Sequence, residues 1–149
     1  MIRKATESDA EAFCNIIRTS IIELCGPDHQ GNKEILEDWL ENKTVENCKA
    51  WIINENSNSF IAEKNGNIVG VCHIGHNGHL FLCYVLPSVK GLGIGGALLS
   101  VAERSVVNLD SKLIFLESTV TARGFYKHHG YIEKNKDNND LNFSKLILP

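Results

Sequence analysis

Residues 87–99 read PSVKGLGIGGALL: a proline, a lysine, four glycines within six positions and then an apolar run. A glycine-rich turn ahead of a helix leaves backbone N–H groups without partners, because the first turn of a helix has no preceding carbonyls. These donors lie at the positive end of the helix dipole, where an anion is stabilised. The stretch therefore predicts a phosphate-binding loop and a helix that begins near Gly93. A loop whose glycines serve only the turn is the alternative.

Gly91, Gly93 and Gly96 have the G-x-G-x-x-G spacing of dinucleotide-binding loops. In that fold the strand leads directly into the first glycine, whereas here Pro87 to Lys90 intervene. Only about 50 residues follow, and they predict an antiparallel pair instead of further parallel units. A nicotinamide or flavin site is therefore the weaker alternative. A P-loop is excluded, because neither Lys-Ser nor Lys-Thr follows the last glycine.

The composition is that of one globular domain spanning residues 1–149, with 43% hydrophobic and 22% charged residues. A net charge of −3 gives no electrostatic support for binding nucleic acid. No apolar run is long enough to span a bilayer, and the first residues lack the apolar core of a signal peptide. We expect a cytoplasmic monomer or homodimer with no membrane or nucleic-acid partner. Its five cysteines are expected to be reduced, most of them in the core.

The N-terminal half predicts a short strand, two helices and then a run of strands. Ser8 stands three residues before Glu11, which is the capping-box spacing at the start of a helix. A second helix carries apolar residues on one face within positions 35–40. From Trp51 the pattern changes to strands, and Asn65-Gly66 predicts a hairpin turn because this pair accepts positive φ at both positions.

In the C-terminal half, HLFLCYVL at residues 79–86 is a nearly unbroken apolar run, which predicts a strand buried on both faces. After the glycine loop and its helix we expect a strand over residues 112–118 and a short helix that ends at Gly130. Two final strands are expected around residues 131–133 and 141–148, with a polar turn between them. The order β-α-α-β-β-β-α-β-α-β-β predicts an α/β (α+β) fold. Its mixed central sheet has about six to seven strands, with helices on both faces.

The stretches YVLPSVKGLGIGGALL and ESTVTARGFYKHHGY together resemble the GNAT superfamily of N-acetyltransferases. In the first, Lys90 to Gly95 match the family's acetyl-CoA pyrophosphate motif, with Lys where most members have Arg or Gln. Thr119 stands where many members carry Asn. The second stretch matches the family's Ala-x-x-Phe-Tyr-x-x-x-Gly-aromatic motif at Ala122, Phe125, Tyr126, Gly130 and Tyr131. LCGPDH, WLENKT and LESTVTARGFY also resemble an uncharacterised bacterial subfamily.

The resemblance implies a GNAT-like fold over nearly the whole chain. It also implies transfer of acetyl from acetyl-CoA to a primary amine of a small molecule or peptide, by direct attack on the thioester and without a metal. The cofactor-binding residues that it implies are Leu82, Cys83, Tyr84, Val85, Lys90, Gly91, Leu92, Gly93, Ile94, Gly95, Gly96, Thr119 and Phe125. In the family the strand that carries the first four bulges and splays from the next strand, and an N–H freed near Cys83 to Val85 is the expected oxyanion donor. A non-catalytic CoA-binding sensor is the alternative function.

Tyr126 matches the family's general acid, and a phenol keeps its proton at neutral pH, ready for a departing thiolate. A packing tyrosine is the alternative. The base stays open between His79, at the start of the apolar strand, and Glu117, at the end of the next one, with a water chain to bulk solvent as a third possibility.

The acceptor pocket is expected over the first two helices, where the candidate residues are Glu23, Asp28, His29 and Trp39. An acidic lining attracts a cationic amine. Glu23 and Asp28 equally fit ordinary helix-end and turn positions.

His73, His76 and His79 form HIGHNGH, a pattern that suggests zinc. A spacing of three alternates faces on a strand and no fourth ligand is evident, so we expect no metal site. Cys83 is expected to be a core or cofactor-wall thiol instead of a nucleophile, because buried neutral thiols are inert.

Overall fold

The computed structural model describes residues 1–109, 112–134 and 141–147, and the predicted class is confirmed. The strands and helices in these ranges are β1 (Ile2–Lys4), α1 (Ala10–Leu24), α2 (Gly26–His29), α3 (Lys33–Leu40), α4 (Val45–Ile53), β2 (Ser57–Lys64), β3 (Asn67–Gly75), β4 (Leu80–Val85), α5 (Ile94–Val106), β5 (Leu113–Glu117), α6 (Arg123–His128), β6 (Ile132–Lys134) and β7 (Asn142–Leu146). None of these helices is long and apolar enough to cross a membrane. The predicted polar turn at 135–140 and the predicted strand end at Leu148 lie outside the described residues.

The strands form two antiparallel sheets, with the orders β1-β2-β3-β4 and β5-β7-β6. Within the described residues, a single parallel bridge between His79 and Phe115 joins β4 to β5. The strands β4 and β5 and the helix between them therefore form a parallel β-α-β unit, β4–α5–β5. Beyond the bridge the two strands diverge, so the predicted central sheet is divided by a gap.

A β-bulge at Phe81 marks the place where β4 turns away from β5. His73 of β3 lies opposite Leu82, and the next residue, Ile74, lies opposite Leu80, so Phe81 is the extra residue of β4. A bulge adds local twist and bends its strand. The Phe81 side chain is 55% exposed. The prediction that this strand is buried on both faces is therefore wrong, because the bulged strand borders open space.

Helices cover both faces of the larger sheet, as predicted. On one face α1 and α4 pack against β2 and β3, with Ile17, Ile61 and Val71 fully buried. On the other face α5 crosses β3 closely at Gly70, where an added Cβ would lie 2.8 Å from the Leu98 methyl carbon Cδ1. This contact fixes the position at which α5 begins.

Four helical segments, instead of the predicted two, separate β1 from the hairpin. Trp51 lies in α4, so the prediction that strands begin there is wrong. The Thr44 hydroxyl accepts a hydrogen bond from Asn47 N at 3.1 Å and caps this helix. Cys48 is fully buried against α1, which gives so short a helix its packing.

The start of α1 also differs from the predicted Ser8–Glu11 capping box. Ser8 lies in a short 3-10 turn, and the Asp9 carboxylate accepts a hydrogen bond from Thr6 N at 2.7 Å. Arg3 pairs with the same carboxylate at 2.8 Å. Asp9 therefore has the capping role that was predicted for Glu11. The ion pair with Arg3 favours Asp9 in this role.

Candidate functional site

The glycine loop has the backbone geometry that its sequence predicts. Gly91 and Gly93 have φ of +83° and +84°, a left-handed conformation that favours glycine. Gly93 is the N-cap of α5, so the predicted start of the helix is confirmed. An added Cβ at either glycine would meet nothing within 4 Å, so the space over the loop is open.

Unpaired backbone donors converge at this helix start. Within the described part of the chain, five amide groups have no hydrogen-bond partner: those of Gly91, Gly93, Ile94, Gly95 and Gly96. The first bond of the helix is donated by Ala97 N to Gly93 O at 3.1 Å. The exposed Lys90 precedes the loop. Several amides at a helix N-terminus, together with one cation, suit a diphosphate.

Helix α6 packs against the start of α5, and the other two glycines permit this contact. An added Cβ at Gly95 would lie 3.2 Å from Phe125 Cε1, and one at Gly96 would lie 2.7 Å from His129 Cε1. Phe125, predicted as a cofactor residue, therefore lies beside the unpaired amides. His129 shares this position and was not predicted, although it directly precedes the motif glycine Gly130.

The free edge of β4 faces the gap. Leu86 N donates to Val69 O at 2.8 Å, and bonded pairs alternate along an antiparallel ladder. The amides of Leu82 and Tyr84 therefore point to β3, whereas those of Cys83 and Val85 point into the gap. Of the four strand residues predicted to bind the cofactor, two thus offer their main chain there. Leu82 and Tyr84 instead line a cavity on the other side of β4.

Cys83 is a wall of the gap. Its thiol lies 3.7 Å from Gly95 O, toward which it is oriented as a hydrogen-bond donor. Burial raises the pKa of this thiol to about 12, so it stays protonated and unreactive at neutral pH. This placement agrees with a cofactor-wall role, and all five cysteines are free thiols.

Tyr126 projects from α6 into the aromatic layer next to β4. Its ring contacts Phe125 and Tyr131 edge-on, with centroids 5.1 and 5.6 Å apart. Burial raises the pKa of Tyr126 well above its usual value, and Cys83 and Tyr84 add to the effect. Among the described residues its hydroxyl has no hydrogen-bond partner, yet no fully buried side-chain oxygen is left unpaired there. The Tyr126 hydroxyl therefore keeps some exposure near Cys83 and Tyr84 of β4, and it carries a proton to donate.

A cavity of about 1190 Å³ lies on the opposite side of β4 from α5. It is bounded by α3, α4, the ends of β3 and β4, and the end of β5. Its aromatic lining consists of Trp39, Trp51, His73, His76, His79, Phe81 and Tyr84. The cavity opens beside the gap, because Tyr84 of β4 and Glu117 of β5 line it from the two sheets.

The two candidate bases lie together where the sheets meet. The His79 ring lies between Phe81 and Phe115, at centroid distances of 4.0 and 4.8 Å. Burial lowers the pKa of His79, and the nearby Glu117 carboxylate opposes this shift. Both side chains line the cavity. A neutral imidazole at neutral pH is able to accept a proton.

Trp39 and Asp28 line the cavity, as predicted for acceptor residues, but the Asp28 carboxylate is already occupied. It accepts hydrogen bonds from Val120 N at 2.6 Å, from Thr121 N at 3.1 Å and from Thr121 Oγ1 at 2.6 Å. Thr119, predicted as a cofactor residue, lines the cavity and accepts a bond from the backbone N–H of Ala122 at 3.0 Å. Asp28 and Thr119 therefore both hold the loop that leads into α6.

The structure does not bring Glu23 and His29 to the cavity. Glu23 is exposed on α1. His29 is buried, with Nε2 3.2 Å from Ile22 O and Nδ1 accepting from Gly31 N at 3.0 Å. His29 therefore fixes the turn after α2, and the prediction that these two residues face the acceptor is not supported by their positions.

The histidines of HIGHNGH have separate partners. His73 Nδ1 lies 2.6 Å from Ser59 Oγ, and burial lowers the pKa of this ring to about 4. His76 Nε2 lies 3.1 Å from Asn58 Oδ1. Among the described residues no three His, Cys, Asp or Glu side chains are grouped to hold a metal ion. His73 and Trp51 belong to the cavity wall, which the sequence did not reveal because they come from a strand and a helix far apart in the chain.

Comparison with known proteins places this geometry in a family. Residues 25–144 match the family model described as Acetyltransferase (GNAT) domain. An uncharacterized N-acetyltransferase of Methanocaldococcus jannaschii is 37% identical over an alignment of 83 residues. The match covers 50% of this chain and 53% of that relative, which is about half of its length. The fold is similar to that of a GCN5-related N-acetyltransferase from Rhodopseudomonas palustris, with a TM-score of 0.86, 20% identity, and coverage of 99% of this chain and 95% of that one. The PaiA N-acetyltransferase from Thermoplasma acidophilum in complex with coenzyme A gives a TM-score of 0.84, 21% identity, and coverage of 98% of each chain. The chain therefore belongs to the GNAT acetyltransferase family.

Proposed function

We propose that residues 1–149 act as a single N-acetyltransferase domain that moves the acetyl group of acetyl-CoA to a primary amine of a small molecule or peptide. The observation that carries this proposal is the protonated Tyr126 hydroxyl, which has no hydrogen-bond partner in the described part of the chain and lies beside the free amide edge of β4. A similarly folded protein, PaiA, was crystallised with coenzyme A. The glycine loop suits the diphosphate of that molecule, because its open, unpaired amides and Lys90 lie at one helix end.

Acetyl-CoA, when bound, supplies an activated thioester that an amine attacks without help from a metal. One amide of the β4 edge, that of Cys83 or that of Val85, donates to the carbonyl oxygen of the acetyl group as negative charge develops there. Tyr126 gives its proton to the departing sulfur, since a phenol with a raised pKa stays protonated until a thiolate is formed. The walls of the gap hold the thioester in line with the cavity. This positioning contributes to the rate acceleration, because the amine and the thioester meet in a fixed geometry.

We assign the acceptance of the amine proton to the adjacent His79 and Glu117. Burial keeps His79 neutral near pH 7, and the Glu117 carboxylate stabilises the imidazolium that forms. His79→Gln is expected to shift or remove the acidic limb of the pH profile of kcat/KM. Glu117→Gln is expected to move that limb to lower pH, because it removes the charge that raises the pKa of His79. An unchanged acidic limb in both variants would indicate that a water chain, and neither side chain, accepts the amine proton.

Binding is tested first, by calorimetry with acetyl-CoA and with NADH. We expect acetyl-CoA to bind and NADH not to bind. A panel of small-molecule and peptide amines is then screened by the release of free CoA thiol. Binding of acetyl-CoA without release across the panel would favour a CoA-binding sensor, and no affinity for acetyl-CoA would refute the proposal.

Tyr126→Phe tests the acid. Loss of a general acid typically costs about 10²- to 10⁴-fold in kcat, and here the basic limb of the pH profile should also change. The matched control is Tyr131→Phe, which removes the same atom from a hydroxyl that donates to Glu103 at 2.6 Å instead of facing the gap. Full turnover by Tyr126→Phe across the pH range would make the assignment wrong.

A further inference from the structure

The Asp28 carboxylate ties two distant parts of the chain together. It lies on α2, and its three hydrogen-bond donors belong to Val120 and Thr121, more than 90 residues later. Two of these bonds are 2.6 Å long, as expected for donors that approach an ionised acceptor. The negative charge is therefore matched by backbone and hydroxyl donors and is not free to attract an amine.

The loop that Asp28 holds runs directly into the helix of the proposed acid. Ala122 is the N-cap of α6, and its carbonyl accepts a hydrogen bond from Tyr126 N at 3.1 Å. Helix α6 is only six residues long, and a helix of that length is not stable by itself. The position of Tyr126 therefore depends on the tertiary contacts of α6, and Asp28 supplies those of the residues just before its first turn.

Few backbone contacts hold the two sides of the site at a fixed distance. In the described residues β4 and β5 are joined by the one bridge at His79 and Phe115, and Phe125 and His129 pack α6 against the start of α5. Asp28 lies on the cavity wall. Pro27 lies in the first turn of its short helix, and the buried His29 fixes the turn after that helix.

We infer that Asp28 is a positioning residue, which sets the Tyr126 hydroxyl against β4 and couples the acceptor wall to the acid. The inference rests on the proposed function for its kinetic meaning. A displacement of about 1 Å at a reacting group costs on the order of 10²-fold in rate. Asp28→Ala, which removes all three bonds, should therefore lower kcat by about 10- to 100-fold and leave the KM for acetyl-CoA within about twofold. Asp28→Asn keeps one oxygen acceptor and should recover part of the loss.

The decisive kinetic test is a double-variant cycle with Tyr126→Phe. When Tyr126 no longer donates a proton, its position ceases to matter, so Asp28→Ala should add little to the kcat loss of Tyr126→Phe. Fully multiplicative losses would show a role that does not pass through Tyr126 and would overturn the inference. The control is Asp38→Asn on the exposed side of α3, which should leave kcat unchanged. If Asp28→Ala does not fold, the cycle is run with Asp28→Asn and with Thr121→Val, which removes one bond.

A spectroscopic readout separates this inference from the proposed function. The chain has three tyrosines, so the protein labelled with 3-fluorotyrosine gives three fluorine resonances, which Tyr→Phe variants assign. Asp28→Asn should move the Tyr126 resonance, whereas Asp38→Asn should not. This result is required even if no amine is acetylated, and a Tyr126 resonance that stays in place in both Asp28 variants would refute the inference while leaving the proposed function intact.

Discussion

Replacing Gly70 with alanine tests whether the contact between α5 and β3 fixes the site. The new methyl group would lie 2.8 Å from Leu98 Cδ1, 3.2 Å from Val85 Cγ1 and 3.3 Å from Ile94 Cγ2. Leu98 is fully buried, so it cannot move aside without displacing other core atoms. Ile94 is the first residue of α5, so the displacement reaches the amides that we expect to hold the diphosphate.

The size of the effect follows from two opposing contributions. Overpacking a dense core costs about 1–3 kcal/mol. Removing glycine from a strand restores about 0.5–1 kcal/mol, because alanine loses less backbone entropy on folding. We therefore expect Gly70→Ala to lower the free energy of unfolding by about 1–2 kcal/mol. With a urea m-value of about 2 kcal/mol/M, the midpoint should fall by about 0.5–1 M.

Urea denaturation followed by circular dichroism measures this change, and calorimetry measures the accompanying loss of acetyl-CoA affinity. Gly124→Ala is the control, because its added Cβ meets nothing within 4 Å and lies in α6, where alanine should stabilise by up to about 1 kcal/mol. In a Leu98→Ala background the shortest of these contacts is gone, and Gly70→Ala should destabilise the protein less than it does in the parent. A Gly70→Ala protein as stable as the parent, or the same destabilisation in both backgrounds, would refute the reasoning.

Three further predictions concern strain and pH. Gly93→Ala places a side chain at φ +84°, which costs about 1–2 kcal/mol. Calorimetry should show acetyl-CoA binding about tenfold weaker. The control Gly66→Ala, at φ +79° in the distant hairpin, should leave this affinity unchanged. Arg3 holds the pKa of Asp9 at about 2, below the usual 3.8. The contribution of this ion pair to the free energy of unfolding is therefore full above pH 3.8 and is lost as pH falls toward 2. Arg3→Gln should flatten the pH dependence of the unfolding free energy in that window. Burial lowers the pKa of His73 from 6.5 to about 4, so the free energy of unfolding should fall as pH falls from 6.5 toward 4. His73→Gln should lack this pH dependence. NMR titration of the His73 ring should give the same pKa.

Each of these has a contradicting result. Equal losses of acetyl-CoA affinity in the two glycine variants would show that the strain at Gly93 does not act on the loop. An unchanged acid slope in Arg3→Gln would remove the ion pair as its cause. A His73 ring that titrates near 6.5 would mean that water reaches the ring and that burial does not lower its pKa.

The parts of this protein that the sequence predicts are those governed by neighbouring residues. The glycine spacing requires a left-handed turn at Gly93, and Asn65-Gly66 requires a hairpin, whatever the rest of the chain does. The start of α5 and the order of the elements from β2 onward follow from such local patterns. The missed helix α4 had one readable signal, the cap at Thr44, but its single buried cysteine gives a weak apolar face.

What the sequence does not predict depends on contacts between distant segments. The bulge at Phe81 arises from the register of β3 against β4, and it decides that the sheet opens into a gap. The role of Asp28 is unreadable from its neighbours, because all of its donors lie more than 90 residues away. For the same reason Glu23 and Asp28 are equivalent acidic candidates in the sequence. In the structure Glu23 is exposed, whereas Asp28 accepts three hydrogen bonds from a distant loop.

The bridge at His79 and Phe115, the one bridge between β4 and β5 within residues 1–109, 112–134 and 141–147, has a mechanical consequence. A seam with one backbone connection is the place where partial opening of a fold starts at the smallest free-energy cost. A bound molecule that pairs with the free amides of the β4 edge adds connections across the seam and stiffens it. If the proposed function holds, the compliance of this protein changes during each turnover, and its loosest state is the one between product departure and the arrival of the next cosubstrate.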